Sequence, residues 1–256
     1  MAWTAGSLWA VTSSVDVNAI VHRSVAANRA DWQAAPSYSY LEREVDQNGG
    51  TKTYHVRMIR GSPYRELVAV NGEPLPPERQ AQEQSRMTAA IAHREAESPS
   101  ETARRIANYE KERRRDEVLL NQLVQAFDFK LQGEQSLDGR NVYVLRATPR
   151  QGYIPPNRDS QVLTGMRGKL WIDTATFQWV KVEAEVVRPV WIEGFLAKVE
   201  PGTRFDLEYA PVSGGIWLPK HYGMKSRAKV LFLFTSREQE DDTYYDYRNT
   251  AETAQR

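Results

Sequence analysis

Apolar and polar residues alternate most regularly between Gly168 and Val187. Leu170 and Ile172 alternate with Lys169, Trp171 and Asp173, and beyond Thr174-Ala175-Thr176 the residues Val180, Val182, Ala184 and Val186 alternate with Trp179, Lys181, Glu183 and Glu185. A strand sends successive side chains to opposite faces, so this period of two predicts a hairpin with one apolar and one polar face. Such a hairpin belongs to an antiparallel sheet, and the apolar face of that sheet has to be covered.

The rest of the chain supplies both sheet and cover. Val17, Ile20, Val21, Val25 and Ala26 recur at helical spacing, which predicts an amphipathic helix over Val15–Trp32, with Ser13, Ser14 or Asp16 to cap it and His22 at the edge of its stripe. Strands are expected over Tyr38–Val45, Thr51–Ile59 and Tyr64–Val70, joined at Asn48-Gly49-Gly50 and Gly61-Ser62-Pro63. Pro74, Pro76 and Pro77 then end the alternation, and no glycine occurs from Glu78 to Gln125. Two helices fit there, about Pro77–Ala96 and Ser100–Ala126, with Ser100 read as lacking a full capping box. Strands resume over Phe129–Ser136 and Asn141–Thr148 around Leu137-Asp138-Gly139-Arg140, then the opening hairpin, Glu185–Trp191 and Arg204–Tyr209. A long extended stretch, Lys220–Ser236, is expected to pair with Asp242–Arg248 through an acidic loop at Glu238–Asp241. The organisation is one domain, 1–256, with a helical insertion at 77–126. Residues 1–14 read as a flexible terminus or the remnant of a trimmed signal peptide, and 249–256 as a frayed tail.

Composition narrows the chemistry. The net charge is +1, so no global field draws in nucleic acid. The segment Glu78–Glu117 carries nine basic and nine acidic residues, which reads as a solvated face laced with local ion pairs. Cysteine is absent, which removes thiolate chemistry and disulfides. No apolar run is long enough for a transmembrane helix. No nucleophile elbow, phosphate loop, dinucleotide fingerprint or zinc-protease motif occurs. His22, His55, His93 and His221 are scattered over different elements, so neither metal nor cofactor is expected. Asp206 and Glu208, with Glu183, are the one carboxylate group suggesting a hydrolase. The absence of a fixed constellation favours a binding protein, whose affinity comes from apolar area.

The segment Gly168-Lys169-Leu170-Trp171-Ile172-Asp173, followed by Val180-Lys181-Val182, resembles the turn and return strand of the Lol-type superfamily of periplasmic lipoprotein carriers, the outer-membrane lipoprotein-sorting proteins. The order of elements over Val15–Arg248 is similar too. Arg60-Gly61-Ser62-Pro63-Tyr64-Arg65 echoes that family's early meander motif only loosely. The resemblance implies an α+β fold: a strongly curved antiparallel half-barrel whose concave face is covered by the N-terminal and inserted helices. It implies a periplasmic carrier that holds the acyl chains of lipoproteins, or another lipid or amphiphile, in an apolar cavity, with envelope proteins as further partners. An envelope sensor or protein-interaction module of the same fold is the alternative. The residues expected to line the cavity are Tyr54, Val56, Met58, Leu170, Ile172, Val180, Val182, Phe205, Leu207, Val230, Phe232 and Phe234 on the strands. On the helices they are Ile91, Ile106, Leu119 and Leu123. The same periodicity also fits a closed, dry core, because it finds a buried face without showing whether that face is filled.

Overall fold

The computed structural model describes residues 15–192, 197–230 and 234–250. The expectations for 1–14, 251–256 and Phe232 lie outside the described residues. The chain is α+β, a single antiparallel half-barrel that does not close on itself, with helices in its concavity.

Helix α1 (Val17–Ala34) starts at Asp16, whose carboxylate accepts the backbone N–H groups of Asn18 and Ala19 at 2.9 and 3.1 Å. Its buried side is Ile20, Val21, Ser24, Asn28 and Asp31, whereas His22 is exposed. The expected core-edge histidine is therefore a solvent residue, displaced by a buried face that turns polar toward its C-terminal end. Strands β1 (Tyr38–Val45), β2 (Thr51–Ile59) and β3 (Ser62–Val70) form the meander, closed by the two-residue β4 (Glu73–Pro74). Helices α2 (Pro77–Ala96) and α3 (Pro99–Ala126) follow. The start of α3 differs from expectation. Ser98 is the cap, and its side chain and that of Glu101 bond each other's backbone N–H in a complete capping box, with Pro99 at the first helical position.

The second half comprises β5 (Phe127–Leu137), β6 (Arg140–Pro149), β7 (Met166–Asp173) and β8 (Trp179–Val186). It continues with β9 (Val190–Ile192), β10 (Ala197–Val199), β11 (Arg204–Pro211), β12 (Trp217–Val230) and β13 (Phe234–Asn249). Among the described residues the order across the sheet is β4-β3-β2-β1-β13-β12-β11-β8-β7-β6-β5, with β9 and β10 branching from β12. The chain's last strand thus lies in the middle and joins the N-terminal meander to the rest.

Two expectations change here. Glu238–Asp241 is not a loop: these residues lie within β13, opposite Ser226, Lys225, Met224 and Gly223 of β12. Pairing of β12 with β13 runs on to Val230 opposite Phe234. The sequence Leu231-Phe232-Leu233 is apolar and carries none of the usual turn formers, so it offers no turn signal between these strands. The expected tail also begins too soon. Asn249 pairs with Tyr38 in the sheet, and the Thr250 hydroxyl donates to the Ser37 carbonyl at 3.0 Å.

The helical pair is clamped to the β2–β3 turn by two arginines. Arg94 donates to the carbonyls of Ile59, Ser62 and Pro63 at 2.8, 3.0 and 3.1 Å. Arg105 reaches the Arg60 carbonyl and the Ser62 hydroxyl at 3.0 and 2.8 Å while paired with Glu97 at 2.7 Å. Gly61 completes the fit: its φ is +85°, and an added Cβ would stand 2.8 Å from Ile106 Cδ1.

Candidate functional site

The register of the strands defines one concave surface. Leu131, Leu145, Leu170, Val182, Leu207 and Tyr222 lie opposite one another across neighbouring strands, and Asp242, Glu44 and Lys52 continue the row. The two ends of this surface are built differently.

At the β5–β8 end the surface is sealed. Ile20 and Val21 of α1 pack with Phe127, Leu145, Ala147, Leu163, Leu170, Ile172 and Phe177, and Leu119, Leu123 and Val182 pack against that cluster. Leu145 and Ile172 have no exposed surface. Gly168 admits close strand packing, since a Cβ there would lie 2.6 Å from the Glu183 carbonyl oxygen. At the hairpin turn, burial would raise the Asp173 carboxyl. Hydrogen bonds from the backbone of Thr176 and Ala175 and from the Thr176 hydroxyl outweigh it and hold the group below its usual range. Leu170, Ile172, Val182, Leu119 and Leu123, expected to line a cavity, are thus placed in or against a packed core.

Val180 is on the other side of the sheet. Lys181 pairs with Trp171 but Trp179 pairs with Ile172, so a bulge reverses the alternation between them. Val180 therefore packs with Val142, Val144, Trp171 and Trp217, while Trp179 joins the concave core. The expected face of Val180 is corrected by this one inserted residue. Phe205 packs at a third cluster with Val186, Val190 and Val199.

At the β1–β3 and β12–β13 end no comparable seal forms. Val56 is buried, but Tyr54, Met58, Leu207, Tyr222 and Met224 keep part of their surface. Ile91 and Ile106 are half-buried, and Ile106 sits against Gly61. Helix α2 buries none of its residues. Val230 and Phe234 are backbone partners of β12 and β13, away from this group in register.

Sequence reasoning passed over the most distinctive part of this open half. Tyr40 of β1 packs against Tyr247 and Tyr244 of β13, with ring centroids 5.2 and 6.0 Å apart. Asp246 lies between them with φ +54°, and this left-handed residue brings two tyrosines of unlike parity onto one face. The Tyr247 hydroxyl donates to the Pro219 carbonyl at 2.7 Å. Beside the rings Arg65 pairs with Glu42 at 3.0 Å and with Glu44, and its guanidinium lies 4.1 Å from the Tyr54 ring centre. Burial raises the Glu42 carboxyl; Arg65 opposes that shift, and Glu44 and Asp242 add to it. Asp242 is raised in the same way, by burial first and then by Glu44 and Glu240. Burial also raises the phenols of Tyr40, Tyr244 and Tyr247. Plain alternation in Tyr38–Val45 marks Tyr40 and Glu42 as one face; only the bulge hides their partners.

Asp206, Glu208 and Glu183 stand on the opposite, convex face, where Asp206 pairs with Glu183 and Glu208 with Lys181 across β11 and β8. Glu183 is paired with Lys181 at 2.9 Å and Glu208 with Lys220 at 3.5 Å. Among the described residues no cluster of metal-ligating side chains is found, and no helix is long and apolar enough to cross a membrane.

No protein-family model matches the chain, and no curated protein matches it. Solved structures do. One is a putative outer membrane lipoprotein-sorting protein domain from Vibrio parahaemolyticus, 11% identical, covering 89% of this chain and 92% of that chain at a TM-score of 0.32. A DUF1329 family protein from Desulfovibrio piger is 14% identical over 91% of this chain and 92% of its own, at 0.36. A LolA superfamily protein from Nitrosomonas europaea is 13% identical over 92% and 94%, at 0.31.

Proposed function

We propose that this chain is a binding or carrier protein of the bacterial envelope, on the periplasmic side, that holds the acyl chain of a lipoprotein or other amphiphile against the open half of its concave face. The supporting observation is the contrast within that face: Tyr54, Met58, Leu207, Tyr222 and Met224 are apolar or aromatic, face the helices and stay half-buried, while the other half is packed shut. Laying an alkyl chain over such a surface gains about 0.8 kcal/mol per methylene, so tight binding needs no catalytic group. The test is mass spectrometry of an organic extract of the purified protein, with titration of an apolar naphthylamine probe. Bound lipid and a saturable probe signal, lost in Leu207→Glu without change in the far-ultraviolet dichroism, are expected. A lipid-free protein that ignores the probe would overturn the reading.

A second reading, a protein-interaction module, draws on α2, which carries no buried residue and a mixed charge. Deleting 78–117 then removes partner capture and spares probe binding.

A further inference from the structure

We propose that the open half is selective for amphiphiles with a cationic, alkylammonium-like head, seated in an acidic cleft beside the β1–β2 turn with the chain laid back along the tyrosines. The inference rests on the amphiphile reading above and assigns its head group.

The β1–β2 turn and the middle of β13 form a cleft of about 310 Å³ lined by Glu44, Val45, Asp46, Gly50, Lys52, Glu240 and Asp242. It continues directly into the aromatic strip, because Glu42 and Tyr244, and then Glu44 and Asp242, are successive concave-side pairs of the same two strands. The charged groups facing this path are five carboxylates, Glu42, Glu44, Asp46, Glu240 and Asp242, and two cations, Lys52 and Arg65. Two cations against five acids leave the path net negative. Arg65 is shared between Glu42 and Glu44 and lies on Tyr54. Asp46 accepts the Asn48 and Gly50 N–H groups of the turn at 2.8 and 2.9 Å, so it is held in place beside the cleft. Asp242 receives only a long 3.5 Å contact from the Tyr244 hydroxyl among the hydrogen bonds of the described residues.

An anionic head entering here meets Glu44, Glu240 and Asp242 in a partly desolvated setting, where like charges repel more strongly than in water. A cation meets the reverse. It also gains from the ring faces: Arg65 already uses Tyr54 in this manner, and Tyr40, Tyr244 and Tyr247 present further rings along the same strip.

The experiment is calorimetric titration of the whole chain, below the micelle threshold and at low salt, with three probes of equal chain length: dodecylammonium, dodecanoate and dodecyl maltoside. Dodecylammonium is expected to bind at least about tenfold more tightly than dodecanoate, with the maltoside between them. The double substitution Glu44→Gln with Asp242→Asn should abolish the preference for the cation, with unchanged far-ultraviolet dichroism showing that the variant is folded. Equal affinities for all three probes, or a preference for dodecanoate, would overturn the charge selectivity and leave the amphiphile reading intact. Failure of all three to bind would overturn the amphiphile reading itself. If a lysine-rich peptide without an alkyl chain bound as tightly as dodecylammonium, the strip would belong to a protein partner and the inference would fall.

Discussion

The concave face is one surface made in two ways. At the β5–β8 end, aliphatic residues and the first turns of α1 interlock, and Leu145 and Ile172 are completely buried. At the β1–β13 end the cross-strand partners are tyrosines, methionines and acids that stay half-buried, under a helix that buries nothing. The difference is one of cover rather than of alternation. Both halves alternate, but only one receives an apolar helix face. A sheet can therefore keep a half-buried apolar surface next to its own core if the helix above that surface is charged.

Substitutions can break this comparison. The largest effect is expected for Ile172→Ala, which leaves a cavity in the sealed half and should cost about 3–4 kcal/mol, or roughly 10 °C in Tm. Leu207→Ala in the open half should cost about 1 kcal/mol, because much of its surface is not removed from water. Equal losses in denaturant titration would mean that both halves are packed alike.

The next effect comes from Asp31, where α1 meets β12. Its Oδ1 accepts the Trp217 N–H at 3.1 Å, while its Oδ2, buried, has no partner. Burial lifts its carboxyl to about 6, against the opposing backbone hydrogen bond from Trp217 and the lowering effect of the nearby Gln178 side chain. A folded-state value above the unfolded 3.8 means that the native state holds the proton more tightly. Its contribution to stability is then full below the unfolded value and is lost as pH rises through about 6. Asp31→Asn keeps the acceptor without the charge and should stabilise the protein by about 2–3 kcal/mol above neutrality, with little gain at pH 4. Thermal melts across pH would show this; a gain independent of pH would assign the effect to packing.

Arg94→Met should have the smallest effect, about 1 kcal/mol globally, since the three carbonyls it serves can partly turn to water. It sharpens the comparison because it frees only the helix over the open half. Hydrogen exchange should accelerate in α2 and stay unchanged in α1.

Much of this fold can be read in the sequence, because its signals are local. Asn48-Gly49-Gly50 and Asp138-Gly139 mark real hairpins, and the proline cluster before Glu78 marks the switch to helices. What stayed hidden is register. Leu231-Phe232-Leu233 gives no turn signal, so β12 and β13 could not be separated. The bulges between Trp171 and Ile172 and around Asp246 insert one residue each and reverse every parity beyond them. The tyrosine strip is invisible for the same reason: Tyr40 is 204 or more positions from its partners, and the bulge at Asp246 erases their shared spacing.

An open half-barrel also has two rims. One is closed by a strand of two residues, β4, and offers little to pair with. The other, β5, runs for eleven residues with one side unpaired among the described residues. Along it Asp128, Lys130 and Glu134 are exposed, and a bulge leaves Gln132 out of the ladder just before Gly133, whose φ is +143°. Alternating charge and a kink are poor templates for an incoming strand. The rim that leaves the face accessible is thus built so that another β-strand does not add to it.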